Sequence, residues 1–480
     1  MESVSESGKW VAARGQESLH ESCGVIGVYA PGLDVARTTF YGLYALQHRG
    51  QESAGIATAT GKRIHNFTSM GLVSQAFRET DLERLEGHIA IGHTRYSTTG
   101  STHIRNAQPV LARSGTLELA LAHNGNVINA EDLRRELAEW GCSFTSTSDS
   151  EVIAQLLACA PGQSWPEKAS YMMRRLQGAY SLTVLTKDTL LGFRDPYGVR
   201  PLCLGKLDGG WVIASESCAL DHLGAQYLRE VEPGETVIVD QNGLTCVPYT
   251  GELPPTAPCV FEYIYFARPD SLLGGRLTYL SRQAMGRQLA REYPADADIV
   301  IGIPDSAGAA AVGYAQEIGI PYSDGLVKNR YVGRTFIEPD QRFRDLGVRM
   351  KFNPLPEVIR GQRIIIVDDS IVRGTTTPHV VNMVRKAGAT EIHMRVCAPP
   401  IRFPCHFGVD MATQRELIAA NMSVDEIRQF IQADTLGYLS VEGLLKTVRG
   451  DYRTFCAACF TGQYPIPVQL EMDKLALERQ

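Results

Sequence analysis

The chain has 480 residues, with 47 Lys+Arg against 53 Asp+Glu (formal charge −6), 44% hydrophobic and 21% charged residues. That length and apolar content suit a folded chain with more than one core, and they exclude a disordered or collagen-like protein. The mildly acidic balance implies no general attraction to nucleic acid. The longest apolar runs, such as Ile-Ile-Ile-Val at 364–367, are far too short to span a membrane.

Residues 1–22 contain four Glu, one Lys, one Arg and no apolar stretch. They read as a frayed tail without a secretory signal, so a cytoplasmic location is expected. In that setting the 11 Cys are thiols, metal ligands or a nucleophile rather than disulfides. Ordered sequence is expected from Cys23, where CGVIGVYA reads as a buried strand. Further strands are predicted at 55–59, 117–123, 180–186 and 211–215. Helices are predicted over 130–140 and 150–159, the second capped by Ser148 with Glu151 three residues on. The first half is therefore α+β. Polar residues follow apolar strands in GHTRYSTTG (92–100) and HNGN (123–126). Taken singly, Asn124-Gly125 is a hairpin signal, Asp149 a helix cap and Cys23 a buried apolar residue.

From about residue 256 the pattern alternates β and α. A strand at 297–303 runs into Pro304-Asp305-Ser306 and then a small-residue helix. In RIIIVDDSIVRGTTT (363–377), a β-branched run without alternation points to a strand buried on both faces, as in a parallel sheet. It ends in Asp368 and Asp369, then a Gly/Thr-rich turn before a helix near 378–388. Ligands of open α/β sheets bind beyond the carboxyl ends of strands. Backbone N–H groups and hydroxyls at 370–377 suit a phosphate, and the two acids suit ribose hydroxyls or Mg2+. No Walker A spacing occurs.

Five segments in order, CGVIG (23–27), LQHRGQESAG (46–55), GHTRYSTTG (92–100), AHNGN (122–126) and TSDSE (147–151), resemble the glutaminase domain of N-terminal-nucleophile (Ntn) amidotransferases. The resemblance implies an αββα domain in which Cys23 is the nucleophile. Its free α-amine would be the general base once residues 1–22, then a propeptide, are removed. Asn124 and Gly125 would form the oxyanion hole, Arg95 would hold the substrate α-carboxylate and Asp149 its α-ammonium. The segment DDSIVRGTT resembles the phosphoribosyl pyrophosphate (PRPP) motif of type I phosphoribosyltransferases, which implies an α/β domain with a parallel sheet. By that resemblance Asp305, Ser306, Asp368, Asp369, Ser370, Arg373, Gly374, Thr375 and Thr376 bind PRPP, with Mg2+ at Ser306, Asp368 and Asp369. Lys328, Arg330 and Arg334 would form a basic flap.

Cys456 and Cys459 form a CxxC, and spacing alone leaves zinc, a redox pair and an iron–sulfur cluster open. Together with PCVFEYIYFARPDS and PPIRFPCHFGVD, the CAACFTGQYP segment resembles the cluster-containing branch of the glutamine PRPP amidotransferases. That implies a [4Fe–4S] cluster on Cys259, Cys405, Cys456 and Cys459. Cys142, Cys159, Cys203, Cys218, Cys246 and Cys397 match no ligand position and are expected to be core or surface thiols with no paired redox role. The whole pattern implies a propeptide at 1–22, a glutaminase domain at 23–255 and a phosphoribosyltransferase domain with a cluster-binding tail at 256–480. It further implies that ammonia from glutamine displaces pyrophosphate from PRPP, giving 5-phosphoribosylamine, glutamate and pyrophosphate in the first committed step of purine (IMP) synthesis. Homotetramers inhibited by purine nucleotides are expected, with neither nucleic acid nor membrane as partner. Other Ntn amidotransferases and a catalytically silent PRPP-binding regulator are the competing readings; the first lacks a use for DDSIVRGTT, the second for an intact Cys23, Arg95, Asn124 and Asp149.

Overall fold

The computed structural model describes residues 23–96, 102–329, 351–411, 413–449 and 454–468. Two antiparallel sheets face each other in the first half. One has seven strands, with Gly24–Tyr29 between Gly210–Ala214 and Ile89–Arg95, and Ser53–Ala59 beyond. The other has six, with Leu117–Val127 and Gly178–Leu185 near its middle. Val25, Ile91, Ala120, Leu185 and Val237 fill the space between the sheets. On the outside, Ile26 and Val28 meet Leu43 of the helix Val35–Ala45. Leu121, Leu182 and Val184 meet the helix Asp149–Cys159 through Val152, Ile153 and Leu156. This is the αββα layering expected. Because the first strand is buried on both faces, CGVIGVYA shows no alternation.

Four parallel strands in the order Ile299–Gly302, Arg363–Asp368, Glu391–Val396, Thr435–Tyr438 form the sheet of the second half. Ile364 to Val367 are all buried, and each such aliphatic side chain contributes about 1.5–3 kcal/mol. The helices Thr278–Glu292, Gly308–Ile318 and Thr377–Lys386 cover the sheet. No helix among the described residues is long and apolar enough to cross a membrane.

Two local expectations fail. Asn124-Gly125 makes no hairpin: His123, Asn124 and Gly125 lie inside the strand Leu117–Val127, opposite Leu182, Ser181 and Tyr180. The sheet neighbour outweighs the local turn preference, and the chain turns instead between Ser114 and Leu117. Ser148 stands at the N-cap of Asp149–Cys159 without a side-chain capping bond. Glu151 reaches back past it to the backbone N–H of Thr145 (2.9 Å) and Ser146 (2.6 Å).

A buried ionic network joins the two halves. Arg49 Nη2 lies 2.8 Å from Glu262, Arg200 Nη1 lies 3.1 Å from the same carboxylate, and Arg49 also pairs with Glu216. All four side chains are buried. Removing one partner leaves an uncompensated charge, so Glu262→Ala should lower stability by about 3–5 kcal/mol, read as a shift in denaturation midpoint. A loss below about 1 kcal/mol, the worth of an exposed pair, would mean that water reaches these charges.

Candidate active sites

Strand register builds the first site. Gly24 lies opposite Thr94 in the neighbouring strand, so Cys23 emerges beside Arg95. The facing sheet brings in Gly125, and the helix Asp149–Cys159 presents its first residue. Cys23, Arg95, Gly125 and Asp149 thus line one narrow cavity together with Tyr96, Gln108, His123, Ser148 and Ser150. The Cys23 thiol donates to the Tyr96 carbonyl (3.2 Å), and the Tyr96 N–H points at its sulfur (3.4 Å). Burial pushes the thiol up to about 11, and the Tyr96 contact and the Arg95 charge pull the other way. Asp149 accepts from the Val127 N–H (3.0 Å) and from the Ser150 hydroxyl (3.4 Å), so its carboxylate ties the strand end to the start of its own helix.

Asn124 carries the strongest signal. It is fully buried, yet neither its side-chain oxygen nor its nitrogen has a hydrogen-bond partner. Leaving a buried polar group unmatched costs about 1–3 kcal/mol. Gly125 beside it has φ +146°, and a Cβ there would come within 2.0 Å of the Ala179 carbonyl. Only glycine lets this strand lie so close to its neighbour beside the Cys23 cavity.

Sequence reasoning gave no role to Tyr96, Gln108 or Arg49. Gln108 holds the His123 N–H (2.8 Å), and Arg49 Nε donates to the Cys23 carbonyl (3.2 Å). Arg49 sat in view within LQHRGQESAG, but its partners lie far along the chain. A segment of the second half completes the wall: the His406 carbonyl accepts from Asn126 (2.9 Å). Gly408, at φ +101°, packs so tightly that a Cβ would stand 2.9 Å from the Gly125 backbone.

The second site lies at the carboxyl ends of the parallel strands. Gly302 pairs with Val367, so Asp305 and Ser306 leave the sheet beside Asp368 and Asp369; the Pro304–Asp305 peptide is cis. Burial, then the Asp369 carboxylate, pushes Asp368 well above the usual range. Burial also raises Asp369, against the Ser306 and Ser370 hydroxyls and the Arg282 charge; the Ser370 hydroxyl donates to Asp369 at 2.5 Å. Beyond them Arg373 holds Glu416 (2.7 Å), and Gly374, Thr375 and Thr376 lead into the helix Thr377–Lys386. Lys328 lies 3.1 Å from Asp305. Arg330 and Arg334 lie outside the described residues.

Among the described residues, no three His, Cys, Asp or Glu side chains converge as ligands of a single ion. The acidic pair still fits Mg2+, which takes one or two carboxylates and fills its shell with water and substrate phosphate. Two adjacent carboxyls, Asp369 buried and Asp368 half-buried, that each resist ionisation are the groups a hard cation relieves. Cys259, Cys405, Cys456 and Cys459 are also brought together. Cys259 and Cys456 form a β-bridge, and the Arg402 and Phe403 N–H groups both bond the Cys459 carbonyl (3.0 and 3.1 Å). Burial pushes Cys459 well up, with Cys259, Cys456 and Cys405 adding to the rise. None of the four is in a disulfide. Four neighbouring sulfurs beside the buried Arg200 side chain, on which burial works against the charge while Cys259, Glu262 and Cys405 favour it, suit a multinuclear cluster, whose ligands stand farther apart than those of one ion.

Burial pushes His93 down to about 3 from its ordinary 6.5. The unfolded imidazole takes a proton near 6.5 and the folded one only near 3, so unfolding takes up a proton between those values. Stability is intact above that window and falls as the pH drops through it. His93→Gln should therefore lose less stability than the parent chain between pH 6.5 and 4, measured by denaturation across pH. Parallel curves would exclude His93 as a source of the acid sensitivity.

Residues 93–222 match the glutamine amidotransferase domain family and residues 282–401 the phosphoribosyl transferase domain family. The amidophosphoribosyltransferase of Synechococcus elongatus is 51% identical over 466 residues, covering 95% of this chain and 94% of that protein. That of Methanocaldococcus jannaschii is 47% identical, covering 94% and 98%. A solved glutamine PRPP amidotransferase from B. subtilis, complexed with ADP and GMP, superposes with a TM-score of 0.88 at 44% identity over 94% of this chain and 99% of that one. A structure described as the allosteric regulatory enzyme of purine biosynthesis also gives 0.88, at 45% identity over 93% and 97%.

Proposed function

This chain belongs to the amidophosphoribosyltransferases, glutamine-dependent pentosyltransferases of purine biosynthesis, and we propose how its own residues divide the reaction. Glutamine binds with its α-carboxylate on Arg95 and its α-ammonium on Asp149. The Cys23 sulfur attacks the side-chain amide carbon, and the oxyanion is held by the Asn124 amide and the Gly125 N–H. The unpartnered, fully buried Asn124 side chain is the observation that carries this reading. Losing such a donor typically costs on the order of 10²–10³ in turnover.

Residues 1–22 act as a propeptide. With Ser22 attached, the Cys23 nitrogen is an amide and the thiol stands near 11, so the uncut chain has neither base nor thiolate. Cleavage before Cys23 supplies an α-amine whose ordinary pKa is about 7.7–8.0. That amine takes the thiol proton and passes it to the departing ammonia; water then releases glutamate from the thioester.

At the second site the 370–376 loop holds the phosphate of PRPP, with Lys328 over the pyrophosphate beside Asp305 and Ser306; Arg334 would contribute a second positive charge to the same substrate. Asp368 and Asp369 hold the ribose. Ammonia attacks the anomeric carbon as pyrophosphate leaves, in a site that must exclude water. Mg2+ would be held by Asp368, Asp369 and Ser306, and when bound it neutralises charge on the leaving pyrophosphate. Cys259, Cys405, Cys456 and Cys459 would hold a [4Fe–4S] cluster, which supplies a metal–sulfur staple. The two domains divide at 255/256. A cytoplasmic homotetramer inhibited by purine nucleotides completes the reading; the B. subtilis relative was solved with ADP and GMP.

The test is an anaerobic assay of the chain processed at Cys23, following glutamate and pyrophosphate with and without PRPP. PRPP should stimulate glutamate release, with pyrophosphate formed in step. Cys23→Ala should abolish synthesis from glutamine but keep synthesis from free ammonia. Asp368→Asn with Asp369→Asn should lose both and retain some glutaminase. Equal loss of both syntheses in Cys23→Ala would contradict the two-site mechanism. For the cluster, Cys456→Ser should lose iron, acid-labile sulfide and visible absorbance together. Full retention of all three would remove Cys456 from the ligand set.

A further inference from the structure

Cys142 and Cys159, expected to be unrelated thiols, stand with their sulfurs 3.3 Å apart. Cys142 follows the end of the helix Ala130–Glu139, and its N–H bonds the Leu137 carbonyl (3.0 Å). Cys159 is the last residue of the helix Asp149–Cys159. Both are half-buried, and Cys159 borders an open groove that also includes Ser114, Gln163, Trp165 and Lys168. We propose that Cys142 and Cys159 form a reversible dithiol–disulfide site that closes under a low-molecular-weight disulfide and braces the helix Asp149–Cys159 against its neighbour.

The geometry supports closure. A disulfide needs an S–S separation of about 2.05 Å and two Cβ atoms already near each other, and these sulfurs already touch. Neither thiol belongs to the group around Cys259, and Cys23 lies at the opposite end of the helix. Burial and the neighbouring sulfur push Cys142 up to about 11, so it acts second. Cys159, open to the groove, attacks the disulfide RSSR as its thiolate and releases one RS⁻, forming a mixed disulfide. Cys142 then gives its proton to solvent, attacks the Cys159 sulfur and releases the second RS⁻. Two protein thiols are oxidised by two electrons and RSSR is reduced to two RSH.

The bond would close a loop that contains Ser148, Asp149 and Ser150 of the Cys23 cavity and the Glu151 clamp on Thr145 and Ser146. Such a cross-link stabilises chiefly by restricting the unfolded chain. Paired thiols outside oxidising compartments are characteristically transient and redox-sensing.

The processed holoenzyme is equilibrated anaerobically with glutathione disulfide and glutathione over a range of ratios, alkylated and peptide-mapped. The expected result is a peptide joining Cys142 to Cys159, reversed by dithiothreitol. The oxidised form should have a higher Tm and slower amide exchange across 143–159. Cys142→Ser and Cys159→Ser should each remove the peptide and the Tm rise while glutamine-dependent activity under reducing conditions is kept. Separate alkylation of both thiols at the most oxidising ratio would overturn the proposal, as would a joined peptide whose formation lowers Tm.

Discussion

Behind Cys23, two arginines and two glutamates share a space closed to water, and the position of that cysteine depends on them. Arg49 donates to the Cys23 carbonyl while its guanidinium bridges Glu216 and Glu262. Arg200 shares the Oε1 of Glu262 with Arg49 and also donates to the Phe407 carbonyl. The charges balance, and Glu216 has further donors: it also accepts from the Ser271 hydroxyl (2.6 Å) and the Arg268 N–H (2.8 Å). Although burial pushes Glu216 up, His48 and Arg49 hold it well below the ordinary range. Such a network costs desolvation and returns specificity of position only when every member is satisfied. Here the anchored atom is the carbonyl of Cys23.

That constraint explains what the sequence reveals and what it hides. The strands at 24–29 and 363–368 were legible because burial on both faces erases alternation, leaving a run of small or β-branched residues. The acids after the second strand were legible as well, since a turn alone has no use for two carboxylates. The charge network was not: His48 and Arg49 sit together in one motif, but Glu216 and Glu262 have no fixed spacing from it, and pairing through the fold leaves no periodic trace. Asn124-Gly125 misled locally because turn preference concerns two residues, whereas eight successive residues of this strand pair with Gly178–Leu185. The features that defeat the hairpin reading, a buried amide without a partner and a glycine pressed against a carbonyl, are those expected of a residue kept for chemistry rather than folding. The contact between Cys142 and Cys159 was hidden for a related reason. Seventeen residues separate them, and the sulfurs meet only because the segment after Cys142 runs back along the chain, with the Ser146 carbonyl on Arg134 and the Ser143 carbonyl on Gln155, before the helix Asp149–Cys159 returns to it.

The two sites are not independent rooms. The segment from Cys405 to Met411 touches both: the His406 carbonyl and Gly408 lie against Asn126 and Gly125, and Asp410 accepts from the Tyr96 hydroxyl at 3.4 Å. Its carbonyl also stands 3.5 Å from Arg373 in the 370–376 loop. Tyr96 in turn holds the Cys23 sulfur through its own backbone. A shift of the 370–376 loop would therefore meet the wall of the Cys23 cavity through packed atoms, without any element having to unfold. Cys405 lies within the same segment, so whatever anchors that cysteine also anchors the contact. The physical economy lies in using one stretch of chain for three purposes: it closes the cavity over Gly125, it braces Arg373 together with Glu416, and it ties the end of the chain near Cys459 to the rest. Interiors packed to crystal-like density transmit displacement instead of absorbing it. A glycine at 408 is what permits the approach, because any side chain there would separate the two walls.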